Sequence, residues 1–166
     1  MLRPTRCDDA GREPAEEASE VENAPVVEAL RRLLAETYTL YLKTHGHHWN
    51  VTGPMFHTLH TLFETEYTEL ALAVDRIAER IRAVGARAPA SYSEFAELST
   101  VREDVGPRTA REMLEGLAAD QLRLVASARR VVEAAEAARD LATADLGVER
   151  IDVHEKNAWM LRSHLE

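Results

Sequence analysis

Five side chains in one stretch carry groups that bind metal cations: His48, His60, Glu64, Asp75 and Glu79. His60 and Glu64 lie four residues apart, as do Asp75 and Glu79, so on a helix each pair projects from neighbouring turns of one face. Imidazole and carboxylate groups presented in that way are a common means of offering two ligands to one ion. Either pair alone says little, because acids four residues apart decorate many solvated helix faces and a lone histidine more often serves packing. Their separation makes them informative. Glu64 and Asp75 are eleven residues apart, about 16 Å along a helix axis at roughly 1.5 Å per residue, whereas metal–ligand bonds span only about 2–2.5 Å. One helix therefore cannot bring both pairs to one ion. Two copies packed antiparallel about a two-fold axis can, with His60 and Glu64 of one chain facing Asp75 and Glu79 of the other. The axis would pass near Glu69 and Leu70, giving two equivalent sites about 22 Å apart.

The ligand types narrow the metal. A mixed imidazole and carboxylate set suits iron, zinc or manganese better than calcium, and the absence of cysteine from the set excludes thiolate sites. Few, oxygen-rich ligands leave positions open for peroxide or oxygen, which favours redox iron. A di-iron site inside a single bundle would need Glu-x-x-His motifs on other helices. None occurs: His154 and His164 have Ile151 and Leu161 three residues before them.

The elements that must position these residues follow from periodicity. Pro25, with Asn23 as a cap, predicts the start of a first helix whose Val26, Val27, Leu30, Leu33, Leu34, Tyr38 and Tyr41 share a face and which runs on to His45, His48 and Trp49. Asn50 to Pro54 supply a turn. A second helix is predicted from about Met55 to Val84 with Gly85 closing it, and Leu59, Phe63, Tyr67, Leu70, Val74, Ile77 and Ile81 form its apolar stripe. The ligand pairs fall on an adjoining face, so this helix has two faces that ask to be covered where a monomer's surface helix needs one.

Residues 86–107 form a long connection with a short helical turn marked by Ser91-x-x-Glu94. Thr109-x-x-Glu112 opens a third long helix that ends near Arg139, and a fourth begins at Asp140 and reaches almost to Glu166. The predicted fold is all-α: a four-helix bundle with a long crossover between its second and third long helices, the ferritin-like layout.

Composition agrees. The chain has 166 residues, 45% hydrophobic and 30% charged, enough for one domain with its own core. Residues 1–24 hold three Arg against seven acids and almost no large apolar groups, so an acidic, mobile tail is expected ahead of a bundle over 25–166. The single cysteine, Cys7, falls in that tail and reads as an idle thiol. No apolar segment long enough for a signal peptide or a membrane span occurs, so a cytoplasmic location is expected, with nucleoid association as its one variant. A net charge of −9 suits a collector of cations and argues against a nucleic-acid-binding face.

His-His-Trp-Asn at 47–50, Gly53, Phe56, His60, the carboxylate at 64, Val-Asp-Arg-Ile-Ala-Glu-Arg at 74–80, Gly85 and Ala-Trp-Met-Leu-Arg-Ser at 158–163 together resemble the Dps family. These are ferritin-like mini-cages named for DNA protection in starved cells. The resemblance covers about residues 25–166, and the spacings of 12, 4, 11 and 4 between the ligand positions are specific to it. It implies a dodecameric hollow shell, built from two-fold dimers, that oxidises Fe(II) at dinuclear ferroxidase sites, preferentially with hydrogen peroxide, and stores ferric mineral. In it His48, His60 and Glu64 come from one subunit, with Glu64 where many relatives have Asp, and Asp75 and Glu79 from the partner. The carboxylates would bind and bridge iron while the imidazoles fix its position. Trp49, at the edge of the site, would donate an electron and intercept radicals, or simply pack an interface. Acidic pores for iron entry are a further family expectation.

One family trait does not carry over. Members that condense DNA use a lysine-rich tail, and this tail has no lysine, so direct DNA binding is not expected.

The other histidines have plainer expectations. His45 and His47 read as helix-end packing or surface groups, His154 and His164 as partly buried scaffold, and His57, one turn before His60, as a group outside the chemistry, with an outer or additional metal contact as the alternative. Glu66 and Glu69 read as a solvated face, with the seeding of mineral on an inner wall as the alternative. Two rival functions remain open from the residues alone: a zinc-dependent hydrolase or transferase using His45/His48 or His57/His60, and a non-catalytic DNA-compacting protein.

Overall fold

The structure is a computed structural model that describes the backbone of residues 14–166 and the side chains of residues 23–166. Five helices follow in order: α1 (Pro14–Asn50), α2 (Phe56–Ala83), α3 (Tyr92–Leu98), α4 (Ala110–Ala137) and α5 (Leu141–Ser163). α1 packs on α2, α4 and α3; α4 packs on α5; α2 touches α5. Short connections make α1/α2 and α4/α5 hairpins, and the long segment carrying α3 joins them. This is the ferritin-like bundle that the periodicity predicts.

The first helix begins upstream of the start expected at Pro25, which lies inside α1. Proline removes one backbone donor there, but Pro25 is exposed, so solvent can take up the carbonyl it leaves unpaired. The part of the expected tail over residues 1–13, with Cys7, lies outside the described residues.

Local rules account for the other boundaries. α2 stops in a Schellman motif: Gly85 adopts φ 93°, its N–H donates to the Arg82 carbonyl, and the Ala86 N–H donates to that of Ile81. Ser91 caps α3 through the Glu94 N–H, and Thr109 with Glu112 forms a reciprocal capping box at the start of α4. Asp140 caps α5 and also accepts from Arg80 of α2 at 2.6 Å, which fixes the α4–α5 corner against α2.

The apolar core has two clusters. One gathers Leu40, Leu59, Phe63, Leu70, Leu114, Leu117 and Leu161; the other gathers Leu30, Leu33, Leu34, Ile77, Ile81, Phe95 and Val131. Buried charges fasten the crossover to the bundle. Glu36 accepts from the Thr100 hydroxyl at 2.7 Å, and Lys43 reaches Asp104 at 3.3 Å and Asp120 at 2.8 Å.

α4 and α5 are in tight contact at Gly147, where an added Cβ would meet Val132 Cγ2 at 2.7 Å and the Ala128 carbonyl oxygen at 3.2 Å. The second neighbour is backbone and cannot swing away. Gly147→Ala is therefore expected to cost about 1–3 kcal/mol through overpacking, read as a lowered denaturant midpoint. An unchanged midpoint would mean that the two helices are free to separate there.

No helix among the described residues is long and apolar enough to cross a membrane.

Candidate metal centre

α1 ends at Asn50, and although the His47 carbonyl still accepts from the Val51 N–H, the His48 carbonyl has no helical partner. The His48 carbonyl is satisfied across the α1–α2 turn by His60 Nδ1 at 2.9 Å, while His48 Nδ1 lies 2.8 Å from the His60 carbonyl oxygen. A carbonyl can only accept, so both Nδ1 atoms carry hydrogen and each ring presents Nε2 as its ligating nitrogen. The two rings stack with centroids 3.7 Å apart and planes 20° apart. Phe56 covers the His60 ring at 5.1 Å. Backbone acceptors and aromatic neighbours thus set the tautomer and direction of both imidazoles before any ion arrives, as outer partners of metal-binding histidines commonly do.

A second row of rings supports this pair. Tyr67, two helical turns after His60, packs edge-on to His48 at 5.2 Å, stacks on His45 at 4.1 Å, and His45 in turn lies 4.2 Å from Trp49. Periodicity places Tyr67 in the apolar stripe of α2; in the structure it also braces the histidine pair. Its position seven residues after His60 was the available signal.

The predicted carboxylates have a different setting. Glu64, Asp75 and Glu79 are exposed on α2, and none makes a hydrogen bond or ion pair among the described residues. Nor do any three His, Cys, Asp or Glu side chains among those residues gather closely enough to hold an ion within one chain. The structure therefore joins His48 to His60, keeps Glu64 one turn along from His60, and leaves Asp75 and Glu79 facing outward further down the same helix.

The remaining histidines separate clearly. His57 is exposed and has no ring contact with the His48–His60 pair. His47 is buried, with Nε2 3.2 Å from Asp104; burial, more than any neighbouring charge, holds its pKa below the ordinary range.

His154 is fully buried in a network that joins three helices. Its Nδ1 donates to Gln121 Oε1 at 2.5 Å, its Nε2 accepts from Arg150 Nη2 at 3.2 Å, and Arg150 forms a two-pronged pair with Glu69. A guanidinium always donates, so His154 is neutral, and burial holds its pKa well below normal. The cationic Arg150 faces the nitrogen that an ion inside the bundle would need.

Glu66 and Glu69 correct the expectation of a solvated face. Glu69 is half-buried against Arg150, and Glu66 is only 2% exposed with both carboxyl oxygens unpartnered. Burial, helped by the charge of Glu69 and opposed by the Gln121 amide, pushes the Glu66 carboxyl up to about 8.

A bundle of this topology is ferritin-like, and residues 27–166 match the ferritin-like domain family. The chain is 38% identical over 143 residues to the DNA protection during starvation protein 2 of Bacillus anthracis, covering 86% of this chain and 98% of that one. The crystal structure of a Dps protein from Bacillus brevis superposes with a TM-score of 0.85 at 36% identity, over 88% of this chain and 98% of that one. The Dps protein of Vibrio cholerae, described as a member of a broad superfamily of ferritin-like diiron-carboxylate proteins, gives a TM-score of 0.85 at 30% identity, over 99% and 100% of the two chains. The chain belongs to the Dps family.

Proposed function

We propose that this protein is a ferroxidase and iron-storage mini-ferritin. It oxidises Fe(II), with hydrogen peroxide as the preferred oxidant, at dinuclear sites shared between subunits, and stores the ferric product in a homo-oligomeric cage, a dodecamer in the family pattern. Removal of iron and peroxide together would protect DNA without contact with it. The single observation that carries the reading is the His48–His60 pair. Its Nδ1 atoms are committed to backbone carbonyls, its Nε2 atoms are left for an ion, and the nearest predicted acid of the chain, Glu64, lies on the same helix face. Asp75 and Glu79 would complete each site from a second copy, because eleven residues of α2 hold Asp75 about 16 Å from Glu64 and Glu79 lies a further turn away.

Each group then has a task. The imidazoles fix position. The carboxylates supply negative charge that favours Fe(III) over Fe(II), and they can bridge two ions. Two Fe(II) give one electron each to one peroxide, which takes up two protons and leaves as two water molecules. Neither electron then escapes as a radical. The superfamily described for the Vibrio cholerae relative supports a paired-iron centre, and the Bacillus anthracis relative's name supports a role in DNA protection.

Anaerobic loading with Fe(II), then peroxide, with sizing of the same sample, tests this. Ferric absorbance should rise at once in a particle many times the mass of one chain; a monomer, or no acceleration by peroxide, contradicts the reading. His57→Ala should leave oxidation unchanged, since His57 stands apart from the histidine pair. A zinc hydrolase built on His57 and His60 would instead lose its activity with that change.

A further inference from the structure

Resting on the ferroxidase reading above, we propose that Tyr67, Tyr41, Tyr38 and Tyr92 form an electron relay that carries single oxidising equivalents from the iron site to Tyr92. These four are all the tyrosines of the chain, and they form one connected series. Tyr67 lies 5.2 Å from His48; Tyr41 lies 6.3 Å from Tyr67; Tyr38 lies 5.9 Å from Tyr41; and Tyr92 lies 6.2 Å from Tyr38, all between ring centroids. The first three are half-buried, and Tyr92 is 71% exposed on the single chain, so the series has an inner and an outer end.

The neighbours confine the path. Phe95 stacks on Tyr38 at 4.7 Å, and His45 fills the space between Tyr67 and Trp49. Phenylalanine and imidazole are much harder to oxidise than phenol, so they pack the series without extending it. Burial first, then the phenols of Tyr92 and Tyr41, raise the pKa of Tyr38. It therefore stays protonated, the form that yields an electron and a proton together.

The need arises when a site holds one Fe(II) rather than two. Fe(II) and H2O2 then give Fe(III), hydroxide and a hydroxyl radical. The Tyr67 phenol gives up a hydrogen atom: its O–H bond breaks, the radical becomes water, and a phenoxyl remains. That phenoxyl takes an electron and a proton from Tyr41, Tyr41 from Tyr38, and Tyr38 from Tyr92. A thiol in solution finally reduces the Tyr92 phenoxyl, giving phenol and a thiyl radical.

The assembled protein, loaded with one Fe(II) per site and treated with peroxide beside a nitroso spin trap without thiol, supplies the test through peptide mass spectrometry. The trap should mark Tyr92, and Tyr41→Phe should remove that mark without changing the ferric yield. Equal marking of Tyr92 in Tyr41→Phe would overturn the relay, because the radical would then arrive through solvent. Marks confined to Trp49 or Tyr67 would overturn it too. Ferric iron without a mark at Tyr92 removes the relay alone; no ferric iron in the unaltered protein removes the ferroxidase reading and the relay with it.

Discussion

Asp75→Asn is expected to abolish peroxide-driven Fe(II) oxidation while leaving the fold of the chain untouched. Asp75 is exposed and makes no hydrogen bond or ion pair among the described residues, so its replacement by an isosteric amide should alter stability by less than about 0.5 kcal/mol. In a monomeric enzyme with its site at His48 and His60, such a change about 20 Å along the helix would do nothing. In the shared site the carboxylate is a direct ligand. Losing even an outer partner of a metal ligand costs about 10–100-fold, so the loss here should reach on the order of 100-fold or more. Initial rates of ferric absorbance, with sizing to confirm assembly, decide it; an unimpaired rate in an intact particle would remove Asp75 from the site. His60→Ala is a less clean probe of the same site, because it also strips the stacking partner of His48 and leaves the His48 carbonyl unpaired.

Glu66→Gln should stabilise the protein, with a gain that grows with pH. The sign follows from proton uptake. The folded-state pKa is about 8, raised from an ordinary value of 4.5, so between these pH values the native protein keeps a proton that the unfolded chain has released. Stability is therefore undiminished below about pH 4.5, falls as pH rises, and has lost the full amount above about pH 8. At pH 7 the loss is roughly 3 kcal/mol, from about 1.4 kcal/mol per pH unit. Glutamine keeps the shape of the neutral acid and cannot ionise. Denaturant midpoints of the two proteins at one concentration should coincide near pH 4 and diverge towards pH 8. A gain independent of pH would show that Glu66 releases its proton as readily in the folded protein as in the unfolded chain.

Glu66 also shows where sequence reading stops. The apolar stripe of α2 was legible: Leu59, Phe63, Leu70, Ile77 and Ile81 are all buried as periodicity requires. The caps at Ser91, Thr109 and Asp140 and the turn at Gly85 were legible too, because each is decided by residues three or four positions away. What faces Glu66 is not local. Gln121, whose amide lies near Glu66, is on α4, and Arg150 of α5 reaches the neighbouring Glu69 across 81 residues of sequence. No periodicity within α2 reveals that a wide bundle core takes in its charged edge. His47, expected as helix-end packing or a surface group, is the former, buried in the last turn of α1 beside Asp104 of the crossover.

For the metal centre, spacing was enough to separate the two pairs, whereas the tautomers of His48 and His60 depend on a contact between the end of α1 and the first turns of α2. The start of α1 lies upstream of the expected one because the helix-start signal that Pro25 carries can also be absorbed at an exposed position inside a helix.

Subunit complementation tests the shared site most directly. His60→Ala and Asp75→Asn chains, each inactive alone, are denatured together, mixed and reassembled. In a mixed pair one site receives both lesions and the other receives none. Fe(II) oxidation should therefore return in the mixture, with one live site in every mixed pair, and stay absent when each variant is reassembled alone. If the mixture forms mixed particles yet stays inactive, the ligands do not come from two chains and the account is wrong.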